Sequence, residues 1–155
     1  MSAQVRDLPL GPQHRHCRRV MEVRLEEDDR LIARAEIRIH PLRHANRRFQ
    51  CASLCGVYTT PELRSKGYAH RVVGRATQQI MEAEVDVALL FCAPELTRLY
   101  EQHGWRTIAR TGTRIGHRDA WVSYDAVRMM QFSSSLSRSA RRLFTEEPLL
   151  LSRLP

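Results

Sequence analysis

The residue types best suited to chemistry gather in one short turn, Arg64-Ser65-Lys66-Gly67-Tyr68-Ala69. A run of apolar residues ends just before it at Pro61. Beyond it, Ala69, Val72, Val73, Ala76, Ile80 and Ala83 follow the three-and-four spacing of a helix with one apolar stripe. The first N–H groups of such a helix have no partner within it, and the helix dipole adds positive potential there. That combination binds phosphate. Arg64 and Lys66 add charge, while Gly67 and Ala69 keep side chains out of the way. Spacing alone fits equally an ordinary strand-to-helix turn with solvated basic residues.

The surrounding segments must position this turn. Residues 1 to about 16 show no period and contain Pro9, Gly11 and Pro12, which predicts a loose arm. From Arg18 the chain alternates. Met21, Val23 and Leu25 share one face; after the turn at Glu27-Asp28-Asp29-Arg30, Leu31, Ala33, Ala35, Ile37 and Ile39 continue it. This is a half-buried β-hairpin. Pro41 to Arg48 reads as a polar loop. Phe49 to Thr59 is apolar on both faces, as in a central strand. Glu84 to Ala93 is a second buried strand, and Pro94 opens a short helix that ends at Gly104. Trp105 to Arg110 and Trp121 to Met130 read as two more strands joined by a turn. The tail from Ser133 holds a short helix and an exposed-looking Leu149-Leu150-Leu151 stub. The expected fold is one α/β domain over residues 1–155, with a core at 17–132 and a crossover helix.

Composition restricts the function classes. With 43% hydrophobic and 27% charged residues the chain is an ordinary globular one. No run approaches the roughly 18 apolar residues of a membrane span, and the N-terminus lacks a secretory apolar stretch. A cytoplasmic protein without a membrane partner is expected. The net charge of +8 suggests anionic ligands. Lys66 is the single lysine among 25 basic residues, and the arginines are spread along the chain, so nucleic acid is an unlikely partner. Cys51 and Cys55 share a strand about 13 Å apart, too far for a common metal. Free thiols and no metal site are expected.

Two motifs carry a resemblance. Arg64, Gly67 and Ala69 fill the acetyl-CoA signature of the GNAT N-acetyltransferase superfamily: Arg or Gln, two residues, Gly, one residue, then Gly or Ala. Leu99-Tyr100-Glu101-Gln102-His103-Gly104-Trp105 resembles a second family block, Leu-Tyr, three residues, Gly, aromatic. The likeness runs over residues 17 to 130, and Val57 to Trp105 is most similar to aminoglycoside acetyltransferases and their uncharacterised relatives. It implies a mixed, mostly antiparallel sheet whose N-terminal strand and helices are shortened or absent.

The resemblance also implies roles. Backbone groups near Val57, Tyr58 and Thr59 would pair with the pantetheine arm. Amides from Arg64, Ser65, Lys66, Gly67, Tyr68 and Ala69 would hold the pyrophosphate, with His70 close by. Phe91, Cys92 and Ala93 would line the thioester, and Tyr100 would protonate the leaving sulfur. Acetyl-CoA is then the acyl donor and a small-molecule primary amine the acceptor, attacking directly. The general base is open: where many members carry a glutamate this chain has Ser53, and His40, His44, Glu101, Asp119 and Asp125 are alternatives. The family's asparagine after the fifth strand is matched by Ala93. A ping-pong role for Cys92 runs against the superfamily's direct transfer. Residues 133–155 could wall the acceptor site, in their own subunit or in a homodimer. The competing reading is a non-catalytic acyl-CoA-binding or regulatory module.

Overall fold

The computed structural model describes residues 3–10, 17–108 and 111–155. A seven-stranded sheet runs in the order β1-β2-β3-β4-β5-β9-β6, built from β1 (Gln4–Leu10), β2 (Arg19–Glu27), β3 (Arg30–His44), β4 (Arg47–Thr59), β5 (Val87–Cys92), β6 (Arg106–Thr107) and β9 (Val127–Phe132). Every neighbouring pair is antiparallel except β4 and β5. That single parallel pair requires a crossover, and α1 (Tyr68–Glu82) supplies it. A smaller sheet, β10-β7-β8, combines β7 (Thr113–His117), β8 (Ala120–Tyr124) and β10 (Leu149–Leu151).

The alternation in β2 and β3 buries one face under α1. Val23, Leu25, Ala35 and Ile37 are wholly inaccessible, as are Val72, Val73, Ala76 and Ile80 on the helix stripe. Each fully buried large aliphatic side chain contributes roughly 1.5–3 kcal/mol. The opposite face is divided. Its β2–β3 part carries ion pairs, with Arg24 bridging Glu22 and Glu26. Its β4–β5–β9 part lies under α3 (Ser135–Glu146), where Phe144 packs on Phe49, Phe132 and the ring of His44.

The structure corrects several readings. Gln4–Leu10, expected in a loose arm, pairs along its whole length with β2, and Asp7 holds Arg75 of α1; residues 11–16 lie outside the described residues. No helix precedes β2 among the described residues. The expected loop at 41–48 is a tight hairpin: β3 continues to His44, and Ala45 and Asn46 turn with φ of 47° and 59°. The single strand expected over 121–130 is two, β8 and β9, and the turn before it contains β7. The Leu149–Leu151 stub is a strand, because parallel pairing with β7 buries Leu149 and Leu151 and leaves Leu150 outside.

Arg128 ties this C-terminal layer to the sheet. It is 3% exposed, and no carboxylate pairs with it among the described residues. Its guanidinium donates instead to the carbonyls of Thr111, Gly112 and Phe144 and to the hydroxyls of Thr111 and Thr113. Burial lowers its pKa to about 10, so it stays protonated at neutral pH.

Candidate functional site

β4 enters the middle of the sheet and then leaves it. Cys51, Ala52 and Ser53 pair with Val87, Ala88 and Leu89 of β5, and there the pairing stops. Opposite β3 the register shifts: Glu36 faces Cys55 and Arg34 faces Tyr58, so Gly56 and Val57 form a bulge. Gly56 has φ of 58°, where glycine is favoured. A bulge increases bend and twist, and beyond Ser53 the two strands form a fork. Val57 is half-buried, Tyr58 is exposed and Thr59 is half-buried on the β4 side. On the β5 side lie Phe91, Cys92 and Ala93, with Cys92 buried.

The turn leading to α1 opens at the end of this fork. Thr60 is fixed by its N–H to the Ile32 carbonyl and by its hydroxyl to the Leu31 carbonyl. A single 3-10 turn over Pro61–Leu63 follows. Ser65 and Gly67 both take positive φ, 61° and 81°, a backbone form that makes anion-binding concavities. Gly67 caps α1, and no side chain accepts from the first-turn N–H groups. A Cβ at Gly67 would meet nothing within 4 Å. The φ demands glycine, and the space beside it is open to a ligand. Arg64, Ser65 and Lys66 are exposed, while Tyr68, Ala69 and His70 are half-buried. The structure thus brings residues 64–70 together at the mouth of the fork. These donors, with the neighbouring cations, fit a pyrophosphate.

Tyr100 sits in α2 (Thr97–Glu101) and is buried at 6% exposure. Removal from water pushes its phenol up to about 12, and the nearby Cys92 thiol adds to the shift. Burial also raises the Cys92 thiol, whose Sγ lies 3.8 Å from the Met129 sulfur. Both groups are therefore protonated at neutral pH. Behind them the indole of Trp105 donates to the Thr77 hydroxyl, and His103 packs against Gly74 and the ring of His70.

On the opposite face of the sheet, at the fork's branch point, Ser53 meets His40. The Ser53 Oγ–His40 Nε2 distance is 2.7 Å, and His40 Nδ1 lies 3.1 Å from the Pro41 carbonyl. A carbonyl can only accept, so Nδ1 carries the proton and Nε2 accepts from Ser53. Burial lowers the His40 pKa and the Arg38 cation lowers it further, which keeps the ring neutral. His40 also lines a cavity of about 1210 Å³ bounded by β3, β4, Trp121 and the C-terminal residues Leu150 to Pro155.

The other base alternatives fall elsewhere. His44 donates to the Leu143 carbonyl and stacks on Phe144, a structural assignment. Glu101, Asp119 and Asp125 are exposed, and Asp125 accepts from Ser123. The Ser53–His40 pair was missed because Pro41–Arg48 read as a loop. The hairpin register pairs His40 with Cys51, which places residue 53 diagonally on the same face. Ala45-Asn46, a turn pair with positive φ, was the available signal.

Among the described residues no group of three His, Cys, Asp or Glu side chains could hold a metal, and no helix is long and apolar enough to cross a membrane. The family profile described as an acetyltransferase (GNAT) domain matches residues 16–108, more than half of the chain. No curated protein matches the sequence. Among solved structures, the GNAT-family N-acetyltransferase YhbS from Escherichia coli in complex with CoA superposes with a TM-score of 0.57 at 12% identity, over 87% of this chain and 66% of that one. Spermidine N-acetyltransferase from Vibrio cholerae, in complex with CoA and spermine, gives 0.51 at 19% identity, over 74% and 66%. ElaA from Escherichia coli gives 0.52 at 14% identity, over 72% and 68%. At these identities the likeness is one of fold.

Proposed function

Because the chain belongs to the GNAT acetyltransferase family, we propose that it is an acetyl-CoA-dependent N-acetyltransferase acting on a primary amine of a small molecule. The observation that carries this reading is the fork between β4 and β5 ending at a helix N-terminus whose glycine cap leaves the first-turn N–H groups without a side-chain acceptor. Val57, Tyr58 and Thr59 offer backbone groups to the pantetheine arm. Residues 64–70 hold the phosphates, and Phe91 and Cys92 flank the reacting end. The bound donor supplies the acyl thioester.

The chain's own groups move the protons. The acceptor amine donates to Ser53 Oγ while the Ser53 hydroxyl proton passes to His40 Nε2. A C–N bond forms, the C–S bond breaks, and the Tyr100 phenol gives its proton to the sulfur. Solvent restores the phenol and removes the proton from His40. No covalent enzyme intermediate is needed, in keeping with the raised Cys92 thiol.

Thermal denaturation with CoA and acetyl-CoA tests the donor site. At a hundredfold over the dissociation constant, stabilisation of about 2.7 kcal/mol is expected. If neither ligand raises the Tm, the proposal fails. Acetyl-CoA binding without thiol release from any amine would instead favour a non-catalytic acyl-CoA-binding module.

A second measurement addresses the base. His40 must be neutral to accept, and its folded pKa lies below the ordinary value of 6.5. At saturating amine, with the ammonium proton released to solvent before binding, kcat should therefore hold as pH falls to about 6.5 and drop only as pH passes through the lowered pKa. In His40→Gln that acidic limb should disappear along with most of kcat. An unchanged limb in the variant would remove His40 from the relay.

A further inference from the structure

We propose that the cavity beside His40 recognises an anionic group, so that the acceptor is an amine that also carries carboxylate or phosphate. This rests on the acyltransferase reading and adds the substrate class. Arg18, Arg43, Arg48 and Arg153 all line the cavity, all are exposed, and none makes an ion pair among the described residues. No aspartate or glutamate lines it. Residues 1–2, 11–16 and 109–110, which lie outside the description, contain no acid that could neutralise the cluster.

What sets these four apart is that they share one cavity with no acidic side chain in its lining, whereas some arginines elsewhere have acidic partners. Arg24 and Arg34 reach Glu22, Arg75 reaches Asp7, and Arg38, which also lines the cavity, is held by Glu36. Four guanidinium groups that line one cavity and make no ion pair among the described residues repel each other, and an anion relieves that repulsion. Their planar forks suit carboxylate and phosphate oxygens.

The lining also differs in burial: against the exposed arginines, half-buried neutral His40 is hydrogen-bonded to buried Ser53, where pairing between β4 and β5 ends. A cation would meet repulsion from these arginines, whereas an amine whose acidic group faces them can place its uncharged nitrogen toward the His40–Ser53 pair. Trp121 and Phe49 supply apolar wall.

The test compares ethanolamine, phosphoethanolamine, L-glutamate and spermidine. Binding is read from Trp121 emission, and turnover from thiol release at saturating acetyl-CoA. At least one acidic amine should bind saturably, weaken with added salt, and show kcat/KM about tenfold or more above ethanolamine. The double variant R43Q/R48Q alters two exposed side chains. It should raise the dissociation constant and KM of that amine about tenfold while acetyl-CoA affinity and kcat stay within about twofold.

The phosphoethanolamine and glutamate arms separate phosphate from carboxylate recognition. Failure of both acidic amines to bind, equal binding by the double variant, or tighter binding of spermidine would each overturn the proposal. Those results are distinct from failure of the acyltransferase reading, which shows as loss of thermal stabilisation by CoA and acetyl-CoA.

Discussion

Tyr100→Phe is expected to lower kcat by about 100-fold or more, the usual scale of a positioned general acid, with acetyl-CoA affinity changed by less than about threefold. The substitution removes one oxygen from a ring that is otherwise held in the apolar core. Packing is kept and the proton is lost. Burial pushes the phenol up to about 12, so the wild-type group is protonated throughout the working range and supplies no limb of its own near neutrality. The pH profile of the variant should accordingly keep its acidic limb while falling uniformly in height. Single-turnover thiol release and a thermal titration with acetyl-CoA separate the two quantities. Equal loss of binding and turnover would assign Tyr100 to packing alone.

Arg128→Leu should be the most destabilising single substitution outside the apolar core. The guanidinium serves acceptors on the Thr111–Thr113 segment and the Phe144 carbonyl near the end of α3. Each buried acceptor left without a donor costs roughly 1–3 kcal/mol. A loss of about 3–5 kcal/mol follows, or a Tm lower by about 10 °C at this chain length. Leucine fills part of the volume, so the deficit measures hydrogen bonding more than cavity formation. Equilibrium denaturation gives the value directly; a change below about 1 kcal/mol would show that the C-terminal layer is held by Phe144 and Leu149 instead. Lysine should rescue little, because a point cation cannot reach the separated acceptors as a planar fork does.

The parts of this fold legible in the sequence are those governed by period. The alternation of residues 21 to 39 and the stripe from Ala69 to Ile80 each report a face, and the structure buries those faces. The Arg64–Ala69 turn was legible for a different reason: a helix start after a buried strand leaves backbone donors exposed whatever the side chains are. Registers and long-range pairings were not legible. Gln4–Leu10 alternates weakly, with Pro9 in it, and becomes a strand because β2 offers an edge. Leu149–Leu151 looked exposed because three residues carry no period, and its partner β7 was itself hidden in a segment read as a turn. The Ser53–His40 pair depended on a hairpin register that the loop reading had removed. Tyr100 and Cys92 were named from resemblance; their burial, and the raised pKa values that follow, required tertiary structure.

The fork has a mechanical side. Three residue pairs, Cys51–Val87, Ala52–Ala88 and Ser53–Leu89, make up the strand pairing between a leaf made of β1 to β4 and a leaf made of β5, β9 and β6. Beyond that seam the leaves are coupled by the Gln50–Asp86 hydrogen bonds, by α1, and by α3, whose Phe144 touches Phe49 and His44 on one leaf and Phe132 on the other. A short seam is a compliant joint, and small changes in the angle between the leaves change the width of the fork most at its far end. Any molecule that hydrogen-bonds along Val57 to Thr59 lengthens the joint and makes it stiffer. Part of its binding free energy is then held as rigidity of the sheet at its narrowest joint.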